Sequence, residues 1–190
     1  MSNQSNKQPT NALVCLDLEG TLISNAISQI PRPHLFEFLE ALSRVSDIAL
    51  FTSVSEERTE AIKAILVDEG FAPKWFKDLP SFHPTGTKKP MRLVSSRERY
   101  QSMFLVDDQI AVIEEGEFDW HIHVKEYLPP YEQHDRELIR ILGQIEQRIH
   151  QPTSFKASFT PSRARLKSIG KRGLEAMEKL DPAHIGDWKE

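Results

Sequence analysis

Asp17 and Glu19 stand two positions apart at the end of an apolar run, Leu13-Val14-Cys15-Leu16, and Gly20-Thr21 follows them. Two hydroxyls, Thr52 and Ser53, end a second run, Ile48-Ala49-Leu50-Phe51. Lys88 and Lys89 precede Pro90, and the pair Asp107-Asp108 ends a third run, Met103-Phe104-Leu105-Val106. In open α/β sheets, ligands are met just beyond the carboxyl ends of the strands. Asp17 therefore falls where a ligand would be met, and Gly20 permits a turn there that a Cβ would obstruct. Several carboxylates gathered at one edge repel one another unless a cation joins them. Taken alone, Asp17 and Glu19 also fit an ordinary solvated turn. The ordered set of acids, hydroxyls, lysine and acids is what favours chemistry.

The elements that would carry these residues can be read from pattern. Continuous apolar runs predict buried parallel strands over residues 12–17, 48–52 and 103–107. His121, His123 and Lys125 alternate with Ile122 and Val124 and predict a half-buried strand. Pro33 suits the first turn of a helix running through about Arg44, with Leu35, Phe38, Leu39 and Leu42 at helical spacing. Ser55 suits the N-cap of the next helix, whose inner face is Ile62, Ile65 and Leu66 and which Gly70 ends. Residues 18–31 read as a turn and a short flap, residues 71–90 as irregular, and residues 132–149 as an amphipathic helix. This pattern predicts an α/β fold with a central parallel sheet.

Composition narrows the class. The chain has 190 residues, 39% hydrophobic and 27% charged, as in ordinary globular domains. No apolar run approaches the roughly 18 residues of a membrane span, and residues 1–11 read as a polar, disordered N-terminus without a signal peptide's hydrophobic region. Cys15 is the only cysteine, so no intramolecular disulfide forms, which suits a cytoplasmic location. Its place within a strand predicts core packing, not a reactive thiol. The net charge of −4 is uneven. Residues 1–150 carry 16 Lys plus Arg against 23 acids, residues 151–172 carry six basic residues and no acid, and residues 173–190 return to −3. The change of sign places a domain boundary near Gln151-Pro152, giving a domain at 12–150 and a basic, amphipathic tail at 151–190.

The ordered set resembles the four motifs of the haloacid dehalogenase superfamily of Mg²⁺-dependent phosphohydrolases, over roughly residues 12–145. Pro31-Arg32-Pro33-His34-Leu35-Phe36-Glu37-Phe38-Leu39, placed before Phe51-Thr52-Ser53, is similar to a signature of the carboxy-terminal-domain, or NLI-interacting-factor-like, phosphatases. Tyr127-Leu128-Pro129-Pro130 and Asp135-Arg136-Glu137-Leu138 resemble the loop and helix that close that fold. The sequence departs from the family at two points. Glu19 stands where Asp is usual, and Asp107-Asp108 stands where Asp-Asn is usual.

The resemblance implies a three-layer α/β/α Rossmann-like sandwich without a cap domain. It also implies roles. Asp17 becomes the nucleophile and carries an aspartyl-phosphate, and Glu19 protonates the leaving group and then activates water. Thr52 and the backbone N–H of Ser53 hold a phosphoryl oxygen, and Lys89 pairs with phosphate and nucleophile. Asp17, the Glu19 carbonyl and Asp107 hold Mg²⁺, and Asp108 acts on it directly or through a water. Glu19 keeps a carboxylic acid, and the enolase-phosphatase branch carries a similar Asp-x-Glu-Gly-Thr motif, so activity is expected. The alternative is a weak or inactive phosphopeptide-binding scaffold, because relatives with degraded motifs exist among mitochondrial import receptors. Lys77-Asp78-Leu79 copies a family motif but lies 30 positions before Asp107, whereas Lys89 lies 18 before it and precedes proline. Lys89 is therefore the expected lysine, Lys88 the next choice and Lys77 the last.

The flap and the interval from Val54 to Thr87 leave no room for a cap, so the site is expected to be open and to suit phosphate on a macromolecule. The resemblance points to phosphoserine, phosphothreonine or phosphotyrosine in a protein. A polynucleotide or nucleotide phosphate is the alternative, with residues 156–172 as a basic contact for nucleic acid. His121 and His123 share a strand face, but no further Cys or His lies at a usual zinc spacing, so both are expected to be exposed surface groups. The sequence leaves the oligomeric state open.

Overall fold

The computed structural model describes residues 11–95 and 99–150. The segment 1–10 and the tail 151–190, expected to be disordered and amphipathic respectively, lie outside the described residues. The elements run β1 (Ala12–Leu16), α1 (Leu35–Val45), β2 (Asp47–Phe51), α2 (Glu56–Asp68), β3 (Ser81–Phe82), β4 (Ser102–Asp107), β5 (His121–His123) and α3 (Glu137–His150). Short 3-10 turns at Lys74–Asp78, Met91–Leu93, Ile110–Val112 and Phe118–Trp120 punctuate the loops.

All five strands pair in parallel, in the order β3-β2-β1-β4-β5. The central strand β1 is buried along its whole length, which is why it reads as an unbroken apolar run. Alternate residues serve two cores. Val14, Leu16, Ile48, Leu50, Phe104 and Val106 pack with the apolar stripes of the three α-helices. Leu13, Cys15, Ala49, Phe51, Met103 and Leu105 pack with Met91 and, less deeply, with Val94, Tyr100, Val112 and Trp120. The α-helices thus cover one face of the sheet, and loops with 3-10 turns cover the other. Among the described residues no helix is long and apolar enough to cross a membrane.

Two helix starts and one buried helix face differ from the sequence reading. Helix α1 begins at Leu35, because His34 takes a left-handed backbone conformation, φ 67°, and Pro33 falls outside the helix. Helix α3 begins at Glu137, where the Asp135 carboxylate accepts the Glu137 N–H at 2.7 Å. A carboxylate there satisfies a free donor and favours the helix dipole. On α2, Ile65 is 38% exposed, and Thr59 and Lys63 are buried in its place. The Lys63 ammonium is satisfied by Glu60 at 2.7 Å and the Leu79 carbonyl at 2.8 Å. The apolar count misplaced the inner face because a paired lysine can be buried. Ser55 holds the N-cap position without a side-chain cap bond. Gly70, at φ 80°, ends the helix, with Phe71 N–H donating to the Leu66 carbonyl at 2.8 Å.

The chain leaves β1 toward β2 and leaves β4 toward β5, in opposite directions across the sheet. The tips of β1 and β4 therefore flank a topological switch point, the crevice where doubly wound sheets bind ligands.

Candidate active site

Asp17 follows β1 directly, and its N–H extends the ladder by donating to the Val106 carbonyl at 2.9 Å. Asp107 is the last residue of β4. Strand alternation turns Asp17 and Asp107 to the same side as Cys15 and Leu105. Lys89 enters from that side. Its backbone N–H is fixed on the Val112 carbonyl at 2.7 Å, and nearby Met91 N–H is fixed on the buried Glu117 carboxylate at 2.9 Å. The Lys89 ammonium lies 2.8 Å from Asp17 Oδ1 and 2.6 Å from Asp107 Oδ2, and only 3% of its side chain is exposed. Burial alone would lower the Lys89 pKa, but the two carboxylates outweigh it and hold it above the usual value.

Asp108 completes the cluster. Asp17, Asp107 and Asp108 each present an oxygen such that all three lie within 4.8 Å of one another. Burial, then Asp17, then Asp107 push the Asp108 carboxyl up to about 6. Burial also pushes Asp17 upward, Lys89 pulls it down, and Asp107 pushes it up again, with a net rise. Asp17 Oδ1 is buried and close to Lys89, yet it lies outside hydrogen-bond geometry. The one ammonium seen in contact with the cluster thus meets two of its three acids, and one buried carboxylate oxygen has only that ammonium beside it. Both features fit a hard divalent cation with oxygen ligands.

Gly20 is required by this geometry. Its φ is 69°, and a Cβ there would lie 2.9 Å from Asp108 Cγ and Oδ2. Thr21 Oγ1 donates to Asp108 Oδ1 at 3.4 Å. The turn after β1 therefore both admits and restrains Asp108.

Glu19 is placed differently from the three aspartates. Its Oε1 accepts the Ala26 N–H of the flap at 2.5 Å, and its carboxylate is not part of the three-acid group. Thr52 is fully buried at the tip of β2, and its Oγ1 accepts the Val54 N–H at 3.3 Å. Ser53 is exposed. Lys88 donates to the Ala111 carbonyl at 2.7 Å, and Lys77 pairs with Asp68 at 2.6 Å on the surface. Both ammonium groups are thus engaged away from the acid cluster, whereas Lys89 contacts two of its members. Cys15 is buried, and burial pushes its thiol far above the usual range. His123 is exposed, but His121 is half-buried, contrary to the reading of both as exposed. His121 Nε2 lies 2.9 Å from the Asp107 carbonyl, and burial lowers its pKa. The contact holds the backbone of a site residue.

Sequence reasoning missed the supports of the site. Arg32 is almost completely buried and bonds Asp135 through Nε at 3.2 Å and Nη2 at 2.9 Å. It also donates to the carbonyls of Gly20 and Thr21 at 3.3 Å and of Lys125 at 2.9 Å, and lies 5.0 Å from the Tyr127 ring centre. Tyr127 N–H adds a bond to the Gly20 carbonyl at 2.9 Å. One guanidinium thereby ties the turn after β1 to the segment leading into α3. The only available signal was that Arg32, Tyr127 and Asp135 all lie in motif-like stretches. Nothing in their spacing pairs residues 103 positions apart.

No curated protein matches the chain. The family model for NLI interacting factor-like phosphatases matches residues 5–156, a span that contains the sheet, the three helices and every residue of the acid cluster. The chain belongs to the NLI interacting factor-like phosphatase family.

Proposed function

We propose that this protein is a Mg²⁺-dependent phosphomonoester hydrolase that works through an aspartyl-phosphate on Asp17 and acts on a phosphoprotein. The observation that carries the reading is the buried Asp17–Lys89–Asp107 contact, with Asp108 beside it, at the switch point of the sheet. Asp17, Asp107, Asp108 and the Glu19 backbone carbonyl are the groups that would hold Mg²⁺, which supplies positive charge against the phosphoryl oxygens.

Asp17 attacks phosphorus with a carboxylate oxygen. A bond forms between that oxygen and phosphorus, the bond from phosphorus to the leaving oxygen breaks, and Glu19 gives that oxygen its proton. In the second half Glu19 takes a proton from water, the water oxygen attacks phosphorus, and Asp17 is released with inorganic phosphate. Thr52 O–H and the Ser53 N–H hold phosphoryl oxygens. Lys89 restrains the nucleophile and offsets charge during transfer. The short flap and the absence of an inserted domain between α2 and Lys89 support a phosphate carried on a macromolecule.

The test is phosphate release from p-nitrophenyl phosphate with Mg²⁺ or EDTA, for wild type and Asp17→Asn. Activity that needs both Mg²⁺ and Asp17 supports the chemistry. Activity that survives Asp17→Asn overturns it. Turnover of a phosphoserine peptide set against a 5′-phosphorylated oligonucleotide then tests the substrate class. Preference for the oligonucleotide overturns the phosphoprotein assignment.

A further inference from the structure

We propose that Arg58 is a positioning residue that holds the flap peptide at Ala26 and, through it, the Glu19 carboxylate. The inference rests on the reading of Glu19 as the leaving-group acid. Arg58 projects from the first turns of α2, and its Nε and Nη2 donate to the Ala26 carbonyl at 2.8 and 2.5 Å. The N–H of the same residue donates to Glu19 Oε1 at 2.5 Å. Glu19, the Ala26 residue and the Arg58 guanidinium thus form one chain of bonds from α2 to the acid.

The flap around this chain is internally fixed. Asn25 Oδ1 accepts the N–H groups of Ile27 and Ser28 at 2.9 and 2.8 Å, and Ser24 N–H donates to the Ile30 carbonyl at 2.9 Å. Gln29 Nε2 adds a third donor to the Ala26 carbonyl at 3.1 Å. A loop closed on itself in this way moves as a unit. Its attachment to α2 through Arg58 therefore sets where Glu19 stands relative to the three aspartates. Glu19 is also the acid the aspartate cluster leaves out, so its placement depends on the flap.

A residue that positions the acid affects substrates according to their need for a proton. p-Nitrophenolate leaves readily without one, whereas a serine alkoxide does not. The parameter to measure is kcat/KM, which reports the steps through cleavage of the leaving group and excludes later hydrolysis of the aspartyl-phosphate. We expect Arg58→Ala to lower kcat/KM for a phosphoserine peptide about tenfold while p-nitrophenyl phosphate changes much less. Arg58→Lys, which keeps the charge and one donor, should fall between. Glu19→Gln should show the same selectivity more strongly, on the order of a hundredfold for the peptide. Equal losses on both substrates with Arg58→Ala, or no loss, overturn the proposal while Glu19→Gln remains selective. An unselective Glu19→Gln overturns it together with the reading of Glu19 on which it rests.

Discussion

Replacing Gly20 by Ala tests whether the turn after β1 is shaped by the acid cluster. Two penalties apply at this position. The φ of 69° costs an L-residue with a Cβ roughly 1–2 kcal/mol. The new Cβ would also lie 2.9 Å from Asp108 Cγ and Oδ2 and 3.0 Å from Oδ1, so the carboxylate must move. Gly70→Ala is the matched control, because Gly70 has φ 80° and nothing within 4 Å of its would-be Cβ. It incurs only the backbone penalty, far from the cluster. We expect Gly70→Ala to lose roughly 1–2 kcal/mol in urea unfolding without metal, and Gly20→Ala to lose more than that. Only Gly20→Ala should change the site. The Mg²⁺ concentration for half-maximal hydrolysis of p-nitrophenyl phosphate should rise on the order of tenfold or more, while Gly70→Ala keeps the wild-type value. A Gly20→Ala protein with wild-type Mg²⁺ dependence would refute the placement of Asp108 as a group that meets the cation.

Lys89→Met leaves Asp17 and Asp107 buried without their shared cation, so it should lose activity and about 3–5 kcal/mol of metal-free stability in urea unfolding, with Mg²⁺ restoring part of the stability. Lys77→Ala removes only an exposed pair with Asp68 and should stay within about 1 kcal/mol of wild type with full activity. The Asp108 carboxyl rises from 3.8 to about 6 on folding, so the folded state binds the extra proton between those values. Metal-free stability should therefore fall as pH rises from about 4 to about 6. Thermal melts should show that fall, and Asp108→Asn or added Mg²⁺ should flatten it. Arg32→Lys should lose several kcal/mol in urea unfolding, because an ammonium cannot reproduce the two-pronged contact with Asp135 and the three carbonyl bonds. Near-wild-type stability would show that the buried guanidinium is dispensable.

What the sequence discloses about this fold follows from how locally each feature is encoded. The strands β1, β2 and β4 are legible because burial on both faces leaves a continuous apolar run. Asp17, Thr52 and Asp107 are legible because they stand where those runs stop. The two-residue strand β3 and the 3-10 turns fall below any periodicity, and the region 71–90 therefore reads as irregular. The error at Ile65 has the same root. A polar residue can be buried if its partner is present, and the partners of Lys63 include a carbonyl 16 residues away. The long-range supports of the site are the least legible. Arg32 meets Asp135, and Arg58 meets Ala26, only because separate elements bring them together. No local pattern specifies that meeting.

The departure from the family at position 19 is best understood with the flap. An Asp there would end one methylene short, about 1.5 Å closer to the backbone. The bond from Ala26 N–H to the position 19 carboxylate is already only 2.5 Å with Glu. An Asp could keep it only if the flap moved toward residue 19, and two Arg58 donors on the Ala26 carbonyl tie the flap to α2. The longer acid and the arginine on α2 are thus two parts of one arrangement. Glu19→Asp should consequently disturb the site more in wild type than in an Arg58→Ala background, where the flap is free to follow the shorter side chain. Comparing phosphoserine-peptide kcat/KM for the two single variants and the double variant measures that coupling. Additive losses would mean that the acid and the arginine act independently, and the length of the side chain at position 19 would then need another explanation.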